Sequence, residues 1–121
     1  MENSRNFTRN DDLIVVSSND IAGVEIKQHI GIVQGSTVKS RNFLSDFLAS
    51  LKTIIGGELV GYSKLLASAR SQAYDRMLQE AEEKNADAIV SFRFQTSSIA
   101  KGASEILAYG TAIKIKGKLN E

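Results

Sequence analysis

Apolar positions along this chain alternate between a two-residue repeat and a three-to-four-residue repeat, and the switches delimit its elements. Leu13 to Ser17, reading LIVVS, is a short β-branched run that predicts a strand buried on both faces. SNDIAG, Ser18 to Gly23, carries turn chemistry. From Val24 the pattern alternates: Val24, Ile26, Gln28 and Ile30 fall on one face, Glu25, Lys27 and His29 on the other. That is a strand with one wet face. Gly31 and Gly35 predict a bulge or bend within or beside it.

The period then lengthens. Phe43, Leu44, Phe47, Leu48, Leu51, Ile54 and Ile55 predict an amphipathic helix with a wide apolar stripe, capped at its start by Ser40 or Asn42. Gly56 supplies the left-handed residue that closes a helix, and Gly57 lets the chain reverse, so GG reads as a hinge between two helices. The second helix is expected from about Ser63 to Lys84, with Leu66, Ala69, Ala73, Met77 and Ala81 in a narrow stripe. Opposite lie Arg70, Arg76, Glu80 and Glu83. Small alanines on the stripe imply close approach to a sheet, and Asn85, tolerant of the left-handed conformation, is the expected stop.

Alternation resumes in ADAIVSFRFQTSS, placing Val90, Phe92 and Phe94 on one face and Ile89, Ser91, Arg93 and Gln95 on the other. In EILAYGTAIKIK, Leu107, Tyr109, Thr111, Ile113 and Ile115 share a face. These two strands predict an antiparallel hairpin with a long loop through IAKGAS. The expected order is β-β-α-α-β-β, an α+β fold in which two helices pack on one face of an antiparallel sheet. Residues 13–116 form one domain in this reading, between an N-terminal tail (1–12) and a C-terminal tail (117–121).

Composition narrows the chemistry. The 121 residues carry 15 Lys+Arg and 14 Asp+Glu, a net charge of +1 without the gathered basic excess of a nucleic-acid binder. Lys114, Lys116 and Lys118 read as the solvated face of a terminal strand. There is no cysteine, hence no disulfide frame and no thiolate metal site. MENSRNFTRNDD lacks the apolar core of a secretory signal, and no apolar run approaches the roughly 20 residues that span a bilayer. A cytoplasmic protein without membrane or nucleic-acid partners is the expectation.

The motifs GIVQG, NFLSDFLASLKTIIGGELVGYSK, ARSQAYDRMLQEAEEKNADAIVSFRF and YGTAIKI follow one another in an order and spacing that resembles the YbjQ-like family of small bacterial proteins. The likeness covers about Leu13 to Lys116. Val16, Ser17 and Ser18 stand where threonines are common in that family, and Asn85 where glycine is common. The resemblance implies a dodecin-subunit-like fold and a homopentameric ring, in which an interface would cover the apolar first helix. It also brings a heavy-metal-binding label.

The residues give that label little. Heavy metals favour thiolate and thioether ligands, then imidazole. This chain offers His29 alone, and Met77 sits on the buried stripe. A zinc site takes about three or four protein ligands, so His29 would need its symmetry mates in a ring; otherwise it is a surface histidine. Asp46, Glu58 and Asp87 are scattered carboxylates. No G-x-S-x-G elbow exists for a serine nucleophile, and EAEEK reads as a solvated helix end with a Glu80–Lys84 pair. GGELVG lacks the G-K-[ST] of a phosphate loop. Gly56 and Gly57 can still present N–H groups to an anion at the second helix, flanked by Tyr62 and Arg70, against the alternative of a plain hinge and an ion-paired Arg70. The expected function is a non-enzymatic homo-oligomeric module, without cofactor, that holds a small ligand or anion at subunit interfaces. The alternative is heavy-metal binding through symmetry-related ligands.

Overall fold

Glycine at position 35 sets how closely the layers of this protein approach. A Cβ there would collide with the main chain of Ala73 and Met77, so helix and strand touch backbone to backbone. The computed structural model describes residues 13–40 and 58–117, and of 58–63 only the main chain. Within them lie β1 (Ile14–Val15), β2 (Ile26–Ser40), α1 (Glu58–Glu83), β3 (Ala88–Ala100) and β4 (Ala103–Ile115). The strands form one sheet in the order β1-β3-β4-β2. The predicted helix from Phe43 to Ile55, the double-glycine hinge and residues 1–12 and 118–121 fall outside the described residues.

The alanine stripe does what its small side chains allow. Ala69, Ala73, Met77 and Ala81 are fully buried against Val33, Ile89, Ile106, Ala108 and Ala112 of the sheet. α1 starts at Glu58, about a turn earlier than its apolar periodicity indicates. It ends as expected: Asn85 takes φ 60°, the Ala86 N–H bonds the Ala81 carbonyl at 3.0 Å, and the Asn85 N–H bonds that of Glu82 at 3.0 Å. This paired arrangement, with Ala81 and Ala86 both in the core, is a Schellman motif with asparagine in the glycine position.

The sheet is mixed, not antiparallel. β2–β4 and β3–β4 are antiparallel, but β1 runs parallel to β3, pairing Ile14 with Ala88 and Val15 with Ile89. Nor is β1 a central strand. It is a two-residue edge, with Ile14 37% exposed. Its run is apolar because Leu13 and Val15 pack beneath α1 while Val16 packs on the opposite face.

Two strands depart from simple alternation. In β2, register shifts between Ile26 and Gln28 and between His29 and Gly31 move Ile26 to the face away from α1 and Ile30 to the face beneath it. The second shift lies at the predicted glycine, Gly31, at φ 141°. In β3 a shift between Val90 and Arg93 centres on Ser91, at φ 56°. Val90 therefore packs away from the helix while Ile89 and Phe92 pack beneath it, the reverse of the grouping that strict alternation predicts. β4 keeps its period, with Ile113 and Ile115 on the far face and Ile106, Ala108 and Ala112 under the helix. The hairpin loop is short: Ala100 pairs with Ala103 across Lys101–Gly102, and Gly102 at φ 79° makes the turn.

Two substitutions test this packing. Gly35→Ala should lower stability by about 3 kcal/mol, read from the urea midpoint at fixed protein concentration; an unchanged midpoint would contradict the contact. Thr37, 3% exposed under the helix, has a hydroxyl with no hydrogen-bond partner. Thr37→Val should raise stability by about 1 kcal/mol, because it removes an unsatisfied buried group.

Candidate functional site

The two faces of the sheet are covered unequally, and that difference locates the candidate surface. On the face away from α1, the chain from Val16 to Ile26 lies over Ala88, Val90, Ile113 and Ile115. It is held along β3: the Val16 N–H bonds the Ile89 carbonyl (2.9 Å), and the Phe92 and Ser91 N–H groups bond the carbonyls of Val16 (3.0 Å) and Ser18 (2.9 Å). The Arg93 guanidinium donates to the carbonyls of Ser17 (2.9 Å) and Phe92 (2.8 Å), and the Ser91 hydroxyl donates to Asn19 Oδ1 (2.7 Å). The bulge at Ser91 is what turns these groups towards the covering segment.

The other half of that face, towards the β3–β4 turn, has no such cover among the described residues. Ile32 is 70% and Val38 55% exposed. The register places Ile32 opposite Thr111, Gln34 opposite Tyr109 and Ser36 opposite Leu107, so one half-apolar surface spans β2 and β4.

An aromatic ladder borders the helix side. Tyr74 of α1 meets Phe92 edge-on with centroids 5.5 Å apart, and Phe92 meets Phe94 at 4.9 Å. Phe94 is 41% exposed. Burial, and then the charge of Asp75, push the Tyr74 phenol above its ordinary range, so it stays neutral in neutral solution.

Of the four residues singled out from sequence as an anion site, the described residues include only Arg70 and the main chain of Tyr62. Gly56 and Gly57 lie outside the described residues, as does the side chain of Tyr62 within α1. Arg70 is exposed, twelve residues beyond Glu58, about 18 Å along the axis from the first turn. His29 is exposed on β2. Asp46 and the Glu58 side chain are outside the described residues, and Asp87 works within the sheet: its Oδ2 accepts the Ile115 N–H at 3.0 Å and its own N–H bonds the Ile113 carbonyl at 2.8 Å. Glu80, expected to pair with Lys84, instead accepts the Gln34 N–H at 2.6 Å. Met77 is core, as its position indicates. Lys116 lies 3.9 Å from Glu25 in a well-solvated pair.

Among the described residues no group of three or more His, Cys, Asp or Glu is placed to hold a metal ion, and no helix is long and apolar enough to cross a membrane. Periodicity missed Ile32, Val38, Tyr74 and the Ser91–Arg93 anchor. The available signal was Gly31 between two isoleucines, where a shift of one residue sends Ile30 and Ile32 to opposite faces.

Comparison with known proteins places the chain. A protein of the UPF0145 group from Methanosarcina acetivorans is 44% identical over 106 residues, covering 88% of this chain and all of its own length. A UPF0145 protein from Photobacterium profundum is 48% identical over 103 residues, 85% of this chain and all of that one. The relatives include bacterial and archaeal members, wider than the bacterial range of the resemblance. A crystal structure of a DUF74-family protein of unknown function from Pediococcus pentosaceus shares the fold, with TM-score 0.52 and 15% identity, over 86% of this chain and 98% of that one. The YbjQ-like family model, described as "Putative heavy-metal-binding", matches residues 13–116, and with these identities the chain belongs to that family.

Proposed function

We propose that the chain serves as a non-enzymatic homo-oligomeric module, a pentameric ring in the number implied by its family resemblance, with subunits meeting over the open half of the sheet. The observation that carries this reading is the exposure of Ile32 and Val38 beside Leu107 and Tyr109. Exposed apolar surface of this kind, rimmed by Gln34, Ser36 and Arg93, characterises protein contacts. A small ligand or anion at subunit junctions is the finer part of the reading. Gly56, Gly57, Tyr62 and Arg70 are the groups proposed to line it, just before and within the N-terminal half of α1.

Heavy-metal binding is the second reading, favoured by the family description. Its donors would be His29 and its symmetry mates. Native mass spectrometry separates the two. The first reading expects a five-subunit mass without a metal increment, falling to monomer in Ile32→Lys/Val38→Lys with the circular dichroism unchanged; a monomeric parent chain would sink it. The second expects a metal increment after incubation with Zn²⁺ or Cu²⁺ that disappears in His29→Ala while the ring persists.

A further inference from the structure

The sheet ends in two edges of different character. β3's outer edge is paired by the N-terminal segment only as far as Phe92, whose N–H reaches Val16. Alternation turns the main-chain groups of Phe94, Thr96 and Ser98 the same way, and among the described residues no backbone bond reaches them from that side. This stretch, FQTSS, carries neither charge nor proline; exposed Phe94 opens it and exposed Ile99 follows it. Such an edge is a template for another strand.

β2's outer edge differs. Glu80 Oε1 accepts the Gln34 N–H at 2.6 Å, and Arg76 Nη1 donates to the Ser36 carbonyl at 2.6 Å. Gln34 and Ser36 are about 6.7 Å apart along the strand. Arg76 and Glu80, one turn apart on α1, are about 6.0 Å apart along the helix. The repeats match well enough for successive turns to serve successive outward positions of the strand. Gly35, between them, lets the helix come close enough for both side chains to reach past the edge. An acceptor on the N–H and a donor on the carbonyl take the bonds that an added strand would need.

We propose that Glu80 and Arg76 guard the β2 edge against strand addition by a second copy of this chain. β3 and β2 both run antiparallel to β4, so a second copy shifted along the sheet with the same face up would add its open β3 edge to β2 in parallel. That contact is head-to-tail and grows without limit unless its rotation closes. The guard stops the sheet from continuing by this route, whatever the number of subunits in the native assembly.

The test is Arg76→Ala/Glu80→Ala in the full chain, followed by sedimentation velocity and thioflavin T fluorescence over a roughly hundredfold concentration range. The folded double variant should form species heavier than the parent, increasingly with concentration. Glu80→Gln, which keeps an acceptor oxygen, should hold the parent mass. Adding Gln34→Pro to the double variant removes the N–H from an edge position and should restore the parent mass. A folded double variant with the parent mass throughout overturns the proposal, as does growth that Gln34→Pro leaves unchanged. Should the double variant fail to fold, Glu80→Ala alone is read by amide exchange: Gln34 should exchange roughly tenfold faster than in the parent, and an unchanged rate also overturns the proposal.

Discussion

The contact of α1 with β2 across Gly35 is the constraint on which the rest of the structure depends. Helix and strand axes approach this closely only where no side chain stands between them, which explains the alanines facing the sheet. Alanine buries little apolar area, so the core draws its bulk from Val33, Met77, Ile89 and Ile106 around that contact. The same proximity fixes what the helix flank can do. Arg76 and Glu80 reach main-chain groups of β2 that a helix set farther out would leave to water.

Bulges then decide which surfaces the sheet offers. Each inserted residue reverses the parity of everything after it, so Ile26 and Ile30 part company in β2, as do Val90 and Phe92 in β3. The sheet becomes apolar on both faces. α1 covers one. Among the described residues the other is covered only where Ser91 and Arg93 hold the N-terminal segment, leaving the Ile32 and Val38 half open.

This arrangement also explains why polar chemistry is dispersed. Asp87 closes the β4 end, Glu80 and Arg76 bind the β2 edge, and Arg93 gathers two carbonyls. These groups serve the main chain, where a buried or edge-lying donor needs a partner. What the fold presents outward is apolar surface and strand edge, which is why association rather than catalysis is the reading proposed for it.

Much of this was legible in the residue pattern. The alanine stripe announced a helix lying close to a sheet, Asn85 its end, Gly31 a bulge, and Met77 a core position, because each follows from local conformational preference or periodicity. The site was far less so. Ser91 has no residue-type signature of a left-handed bulge, so the faces of β3 were misassigned; β1 looks like a central strand because both its faces are apolar; and IAKGAS looks like a loop although ladder bonds carry both strands to the Lys101–Gly102 turn. The sequence by itself determined the α+β class, the helix stripe and its stop, since these depend on neighbours a few residues apart. Only the tertiary structure decided strand order, parity, the open half-face and the Glu80–Arg76 contacts, because they join residues about forty or more positions apart, where no local pattern reaches.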